Sequence, residues 1–178
     1  MDKIKRYRYD SPIGWLELGE DGKGICQIDF LKDSLQRPEE ENDCICRTPL
    51  LEEAAGQLEE YFAGQRKTFC LPLSLSGTDF QKRVWNALRK IPWGETRSYG
   101  QIAQMIGNPK ACRAVGMANH ANRIVIVIPC HRVIGADGSL TGYGGGLEIK
   151  RKLLELEGIL IQRVPSETAV PVPQGSPV

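Results

Sequence analysis

The chain opens on period-two alternation. Tyr7-Arg8-Tyr9, Trp15-Leu16-Glu17-Leu18 and Ile25-Cys26-Gln27-Ile28-Asp29-Phe30 predict three short strands within residues 4–31. Ser11-Pro12-Ile13-Gly14 and Asp21-Gly22-Lys23-Gly24 supply the turns between them. The segment 33–47 is acidic and reads as an exposed loop. The period then changes: Leu51, Ala54, Ala55, Leu58, Tyr61 and Phe62 fall at helical spacing, which predicts a helix over 50–63 ended by Gly64.

A second unit starts near Thr78, which forms a capping box with Gln81. Phe80, Val84, Ala87, Leu88 and Ile91 make the apolar face of the following helix, and Pro92-Trp93-Gly94 breaks it. Two short helices come next. The first, Tyr99 to Ile106, packs through Ile102, Ala103 and Ile106. The second has Asn108 as N-cap, Pro109 at its first position, and Ala111, Ala114, Val115 and Ala118 on its inner face. Joined through Gly107, the pair reads as a helix-turn-helix. At about 100° per residue, Arg113 lies roughly 200° from Ala111 and Val115 and projects outward. An ordinary helical hairpin with an exposed arginine would show the same pattern.

A last helix, 147–157, carries the stripe Ile149, Leu153, Leu156 and Leu160. Glu157 leans toward this stripe, and a carboxylate near a core needs a partner. His131 is the candidate, because the chain has only His120 and His131. Gly142-Tyr143-Gly144-Gly145-Gly146 lacks the lysine and spacing of a phosphate-binding loop and reads as a substrate loop. The fold class is therefore α/β (α+β): a small strand-rich N-terminal domain with one helix over 1–77, a mainly helical domain over 78–160, and a flexible tail over 161–178.

No apolar stretch approaches the roughly 18–20 residues that cross a bilayer, and the N-terminus lacks an apolar signal core, so a cytoplasmic location is expected. Six cysteines (26, 44, 46, 70, 112 and 130) in 178 residues do not read as a disulfide framework. Net charge is +1, but residues 1–77 hold 10 Lys/Arg against 15 Asp/Glu, whereas 78–160 hold 12 against 6. The basic half fits an anionic partner, with nucleic acid foremost.

The chemistry concentrates in Ile126-Val127-Ile128-Pro129-Cys130-His131-Arg132-Val133. Adjacent strand residues face opposite ways, so a Cys130–His131 contact needs a turn, which Pro129 permits. A thiol held there becomes a nucleophile if its proton is removed. The pair alone reads equally as a buried structural cysteine beside a surface histidine.

Residues Phe80 to Gly158 then narrow the choice. Gly94-Glu95-Thr96 with Ser98-Tyr99, Gly107-Asn108-Pro109-Lys110, Arg113-Ala114-Val115-Gly116, Asn122, Ile128-Pro129-Cys130-His131-Arg132-Val133, Gly145-Gly146-Leu147, and Leu153-Leu154 with Glu157-Gly158 follow in order. Together they resemble the O6-alkylguanine-DNA alkyltransferases, the methylated-DNA–protein-cysteine methyltransferases. Residues 1–77 match only in general style.

The resemblance implies a single-turnover DNA-repair reaction. Cys130 takes the alkyl group from O6-alkylguanine, with O4-alkylthymine left open. His131 is the base, Glu157 orients it, and Tyr99 donates a proton to the leaving guanine at N3. Tyr99, Arg113, Ala111, Ala114 and Gly116 contact DNA, with Arg113 filling the stack that a flipped nucleotide vacates. Val133, Tyr143, Gly144 and Asn122 line the base pocket. The partner implied is double-stranded DNA carrying the lesion, met by a monomer with no cofactor, no metal and no membrane. Gly144 stands where many relatives have serine, and Thr141 and Val125 replace rim glycine and proline of the animal enzymes, which predicts slow reaction with benzylated guanine. The N-terminal zinc site of some relatives is not reproduced by Cys44 and Cys46. An alkyltransferase-like sensor, a cysteine hydrolase or a DNA-binding regulator are the competing readings. A sensor of that group has its active cysteine replaced, whereas Cys130 is present.

Overall fold

The computed structural model describes residues 4–31 and 46–161. Three antiparallel strands, β1 (Lys5–Ser11), β2 (Gly14–Glu20) and β3 (Ile25–Phe30), form a sheet in the order β1-β2-β3. Their alternation buries Leu16, Leu18, Ile25 and Ile28 against helix α1 (Pro49–Phe62), which contributes Leu51, Ala54, Leu58 and Tyr61. Thr48 caps α1, and Gly64, at φ 72°, turns the chain just past its end.

Helix α2 (Asp79–Leu88) starts at the expected capping box, with Gln81 N–H donating to Thr78 Oγ1 and Gln81 Oε1 accepting from Thr78 N–H. Short β4 (Arg97–Ser98), α3 (Tyr99–Met105) and α4 (Cys112–His120) follow. After them come a 3₁₀ turn (Cys130–Arg132), β5 (Val133–Ile134) and α5 (Leu147–Leu156). One continuous core runs from Leu16 of β2 to Leu153 of α5.

Two details depart from the sequence expectations. Helix α4 starts at Cys112, not at Pro109. Ala111 N–H donates to Asn108 O at 3.0 Å, so 108–111 close a separate turn, and Ala111 caps α4 without a side-chain bond. Ala114 is consequently exposed, while Val115 and Ala118 are buried. The inner face of α5 is also wider than the expected stripe: Lys150, Leu153 and Leu154 are buried, Ile149 and Leu156 pack half-buried against the core, and Leu160 is 81% exposed. The 161–178 tail, apart from residue 161, and most of the acidic 33–47 loop, including Cys44, lie outside the described residues.

The end of β3 is fastened to the segment that leads to Cys130. Ile28 N–H donates to Arg123 O at 2.8 Å, and Val125 N–H donates to Ile28 O at 2.9 Å. Beyond that seam the chain reverses sharply. Ile126 sits at φ 72°, and Val127 N–H closes back on Val125 O at 2.9 Å. A β-branched residue in this region costs on the order of 1–3 kcal/mol, which the fully packed surroundings must offset. The turn delivers Pro129 and Cys130 to the junction of the sheet and the helices.

Candidate active site

Cys130 begins the 3₁₀ turn and is buried at 3% exposure. Its N–H donates to Ile128 O at 2.7 Å, its carbonyl accepts from Asn119 Nδ2 at 3.3 Å, and Asn122 braces the approach. Asn122 Nδ2 donates to Ile128 O at 2.9 Å while its Oδ1 accepts from Ile124 N–H at 3.0 Å. Burial pushes the Cys130 thiol up to about 11, against a hydrogen bond from Asn122 and the nearby charge of Lys150. At neutral pH such a thiol keeps its proton, so it needs a base to become a nucleophile.

His131 follows it in the same turn. Its ring is fully buried, and Nε2 lies 2.7 Å from Glu157 Oε1. Burial pulls its pKa below the ordinary value, more strongly than the Glu157 carboxylate raises it. The ring is thus neutral, with Nε2–H donating to the carboxylate and Nδ1 carrying the free lone pair. Nδ1 is buried and has no hydrogen-bond partner among the described residues. A neutral imidazole fixed at one nitrogen and vacant at the other is a poised proton acceptor.

Glu157 follows α5 and accepts three hydrogen bonds besides that of His131. Tyr61 Oη donates to Oε1 at 2.7 Å, and Arg132 donates through Nε to Oε2 at 2.8 Å and through Nη2 to Oε1 at 3.0 Å. Burial alone would raise this carboxyl, but His131 and Arg132 overcome it and hold it at about 2. Arg132 Nη1 is spent on Ile91 O, at 2.5 Å. The carboxylate is therefore ionised at neutral pH and fully partnered, as a buried charge must be.

A cavity of about 400 Å³ opens onto Cys130. Asn122, Val125, Tyr143 and Gly144 line it, as do Asp29, His120 and Arg123. The Tyr143 hydroxyl is buried and unpartnered among the described residues, and burial together with the Cys130 charge raises its pKa well above the ordinary phenol value. Tyr99 and Val133 border the site without lining this cavity. Parallel pairing of β4 with β5 sets Arg97 opposite Val133 and Ser98 opposite Ile134, and Tyr99 opens α3 directly after this pairing. The Tyr99 hydroxyl approaches Thr141 O at 3.4 Å. On α4, Arg113 and Ala114 are exposed and Gly116 is half-buried against the Tyr99 ring, while Ala111 sits half-buried just before the helix.

The comparisons with known proteins agree over both halves. The model of the 6-O-methylguanine DNA methyltransferase DNA-binding domain matches residues 79–159, and that of the ribonuclease-like domain of the same proteins matches 4–75. This chain belongs to the 6-O-methylguanine DNA methyltransferase family. The methylated-DNA–protein-cysteine methyltransferase of Methanosarcina acetivorans is 53% identical over 150 residues, 84% of this chain and 96% of that one. The constitutive enzyme of Bacillus subtilis is 49% identical over 159 residues, 84% of this chain and 93% of its own. The crystal structure of Mycobacterium tuberculosis O6-methylguanine methyltransferase superposes with a TM-score of 0.76 at 48% identity, covering 93% of this chain and 97% of that one. A structure of the same protein in complex with DNA gives 0.76 at 50% identity, over 86% and 93%.

Within this family member, three site residues escape a reading of the sequence. Tyr61 looks like one more apolar position of α1, yet its hydroxyl reaches Glu157. Arg132 sits inside the Pro-Cys-His-Arg run and turns out to hold the carboxylate. Lys150 is fully buried, with Nζ donating to Val133 O at 2.6 Å and to Thr141 O at 2.7 Å. Burial lowers its pKa to about 8, with the Cys130 charge opposing. A signal for Lys150 did exist: residues 150, 153, 154 and 157 share one helix face, so a lysine stands on the buried stripe. It ties β5 to the glycine-rich loop that closes the cavity.

Proposed function

We propose that this chain repairs DNA by moving the alkyl group from O6 of guanine onto its own Cys130, once per molecule. The chain is a DNA-repair methyltransferase of the methylated-DNA–protein-cysteine class. The observation that carries the assignment of Cys130 is that it shares one buried turn with a neutral His131, vacant at Nδ1 and anchored at Nε2 by an ionised Glu157.

The thiol proton passes to His131 Nδ1 through a bridging water, and the Glu157 carboxylate stabilises the imidazolium that forms. Cys130 Sγ then attacks the alkyl carbon. An S–C bond forms, the C–O6 bond breaks, and its electron pair stays on guanine. Tyr99 donates a proton to the guanine at N3 so that it leaves neutral. The product is a thioether, whose C–S bond a water activated by an imidazole does not cleave, so the protein is consumed.

A guanine stacked in duplex DNA cannot reach a buried thiol, so the nucleotide must flip out. The exposed side of α4 suits this: Arg113 fills the vacated stack, and Ala111, Ala114 and Gly116 allow close approach to the minor groove. Val133, Tyr143, Gly144 and Asn122 hold the flipped base. The partner is double-stranded DNA carrying O6-alkylguanine, bound by a monomer of the cytoplasm without a cofactor. Among the described residues no helix is long and apolar enough to cross a membrane. Residues 1–77 act as a supporting domain and 78–160 as the DNA-binding and transfer domain.

Titration of a fixed amount of protein with a duplex containing one O6-methylguanine tests this reading. Demethylation should stop at one lesion per protein molecule. Continued turnover would point to a hydrolase, and binding without demethylation to a sensor.

A further inference from the structure

The cavity at Cys130 has one wall that the transfer chemistry does not use. Asp29, on β3, lines it together with Val125 and Arg123. The seam between Ile28 and residues 123–125 brings this strand end to the site. The next residue, Phe30, packs on the glycine-rich loop: a Cβ on Gly145 would fall 2.9 Å from its ring, and the Phe30 and Tyr143 rings stand 6.5 Å apart. Asp29 is thus fixed at the cavity edge by its neighbours on both sides. Its carboxylate is half-buried and forms no ion pair within 4.0 Å among the described residues.

The geometry of guanine says what this wall faces. N3 and C6 lie opposite each other across the six-membered ring. With Tyr99 at N3, the O6 substituent lies at the opposite end of the ring, at Cys130, within the cavity that Asp29 also lines. We propose that Asp29 is a specificity-determining residue for the alkyl group, admitting small or cationic substituents and penalising anionic ones. The inference rests on the alkyl-transfer reading above.

Electrostatics support it. Burial is the main cause that raises the pKa of Cys130 and Tyr143, and the Asp29 charge adds to it at both, so its field reaches the end of the cavity where the substituent must sit. Burial raises the pKa of Asp29 itself, and Arg123 and Glu17 pull it in opposite directions. Arg123 also borders the cavity but is exposed, so its charge is screened more than that of the carboxylate. An anionic substituent meets a like charge in a partly desolvated space, and a cationic one meets an attraction.

The test uses the full chain and three duplexes that differ only at O6: methyl, carboxymethyl and 2-aminoethyl. Single-turnover rate constants are measured for wild type, Asp29→Asn and Asp29→Ser. The wild type should favour aminoethyl over carboxymethyl, and both variants should reduce that ratio about 10-fold, since roughly one pKa unit of interaction is tenfold. Methyl transfer should change by less than about 3-fold, the part of the effect that carries no charge. Because the ratio is taken within each variant, a general loss of stability divides out. An unchanged ratio with methyl transfer intact overturns the inference alone. Absence of methyl transfer by the wild type overturns the alkyl-transfer reading and this inference with it.

Discussion

Tyr61 of α1 donates a 2.7 Å hydrogen bond to Glu157 Oε1 across 96 positions of sequence. The helix of the strand-rich half therefore holds the carboxylate bonded to His131, so that half takes part in building the proposed proton relay. Tyr61→Phe keeps the ring packing against Phe62, Phe69 and Trp93 and removes only this bond. A bond to a charged acceptor is worth about 1.5–3 kcal/mol, and denaturant unfolding should show a loss of that order. Single-turnover transfer should slow several-fold. Unchanged stability would mean that Arg132 and His131 suffice to hold Glu157.

The relay fixes the pH dependence of transfer. The Cys130 thiol, pushed up to about 11, cannot ionise alone near neutrality, whereas His131 is neutral there. The wild-type rate should stay level through neutral pH and fall only well below the ordinary histidine range. In His131→Ala the rate should drop and then rise about tenfold per pH unit in the alkaline range, as the thiol itself ionises. A level profile in that variant would assign the base to another group.

Stability should fall with acid for two reasons of the same sign. Glu157 has a folded pKa of about 2 against an ordinary 4.5, so its contribution is present above 4.5 and is lost as pH falls toward 2. His131 is held neutral, below its ordinary 6.5, so protonation favours the unfolded chain as pH drops through and below 6.5. Glu157→Gln should lose the steep window between 4.5 and 2, at a cost of about 3–5 kcal/mol at neutral pH for breaking a buried charged network. Equal acid sensitivity in wild type and variant would contradict this.

Lys150 should govern the loop that closes the cavity. Lys150→Met fills the same space but leaves the carbonyls of Val133 and Thr141 unpaired by Nζ, a penalty of about 1–3 kcal/mol each. Amide hydrogen exchange should accelerate over 141–146, and transfer should slow by about tenfold or more, as expected when a positioning group is lost. Unaltered exchange in that loop would make Lys150 a passive core residue.

Arg113, exposed on α4, should matter only where a duplex must be opened. Arg113→Ala should slow transfer from duplex O6-methylguanine by about 10²-fold, the scale of a few kcal/mol of unstacking. Reaction with the free O6-methylguanine base should be unaffected. Equal loss on both substrates would place Arg113 in the fold rather than at the DNA.

Local chemistry was legible in the sequence where it repeats or stands adjacent. Alternation gave the three strands, Thr78 and Gln81 gave the start of α2, and Pro129-Cys130-His131 gave the turn. Long-range geometry was not. Nothing local distinguishes Tyr61 from its core neighbours, and Asp29 is one polar position of an alternating strand until residues 123–125 pair beside it. Asn108-Pro109 misplaced the start of α4 because Asn108 puts its carbonyl into a turn with Ala111 instead of capping the helix with its side chain. The α5 stripe counts only apolar positions and so omits Lys150, which burial places on the same inner face.

The most direct measurement is peptide mapping by tandem mass spectrometry after reaction with a duplex bearing one O6-methylguanine, on wild type and Cys130→Ala. A single methyl on Cys130 of the wild type, and none anywhere in the variant, is the predicted result. A methyl on Cys112 or Cys70, the exposed thiols among the described residues, or undiminished transfer by Cys130→Ala, would contradict the account.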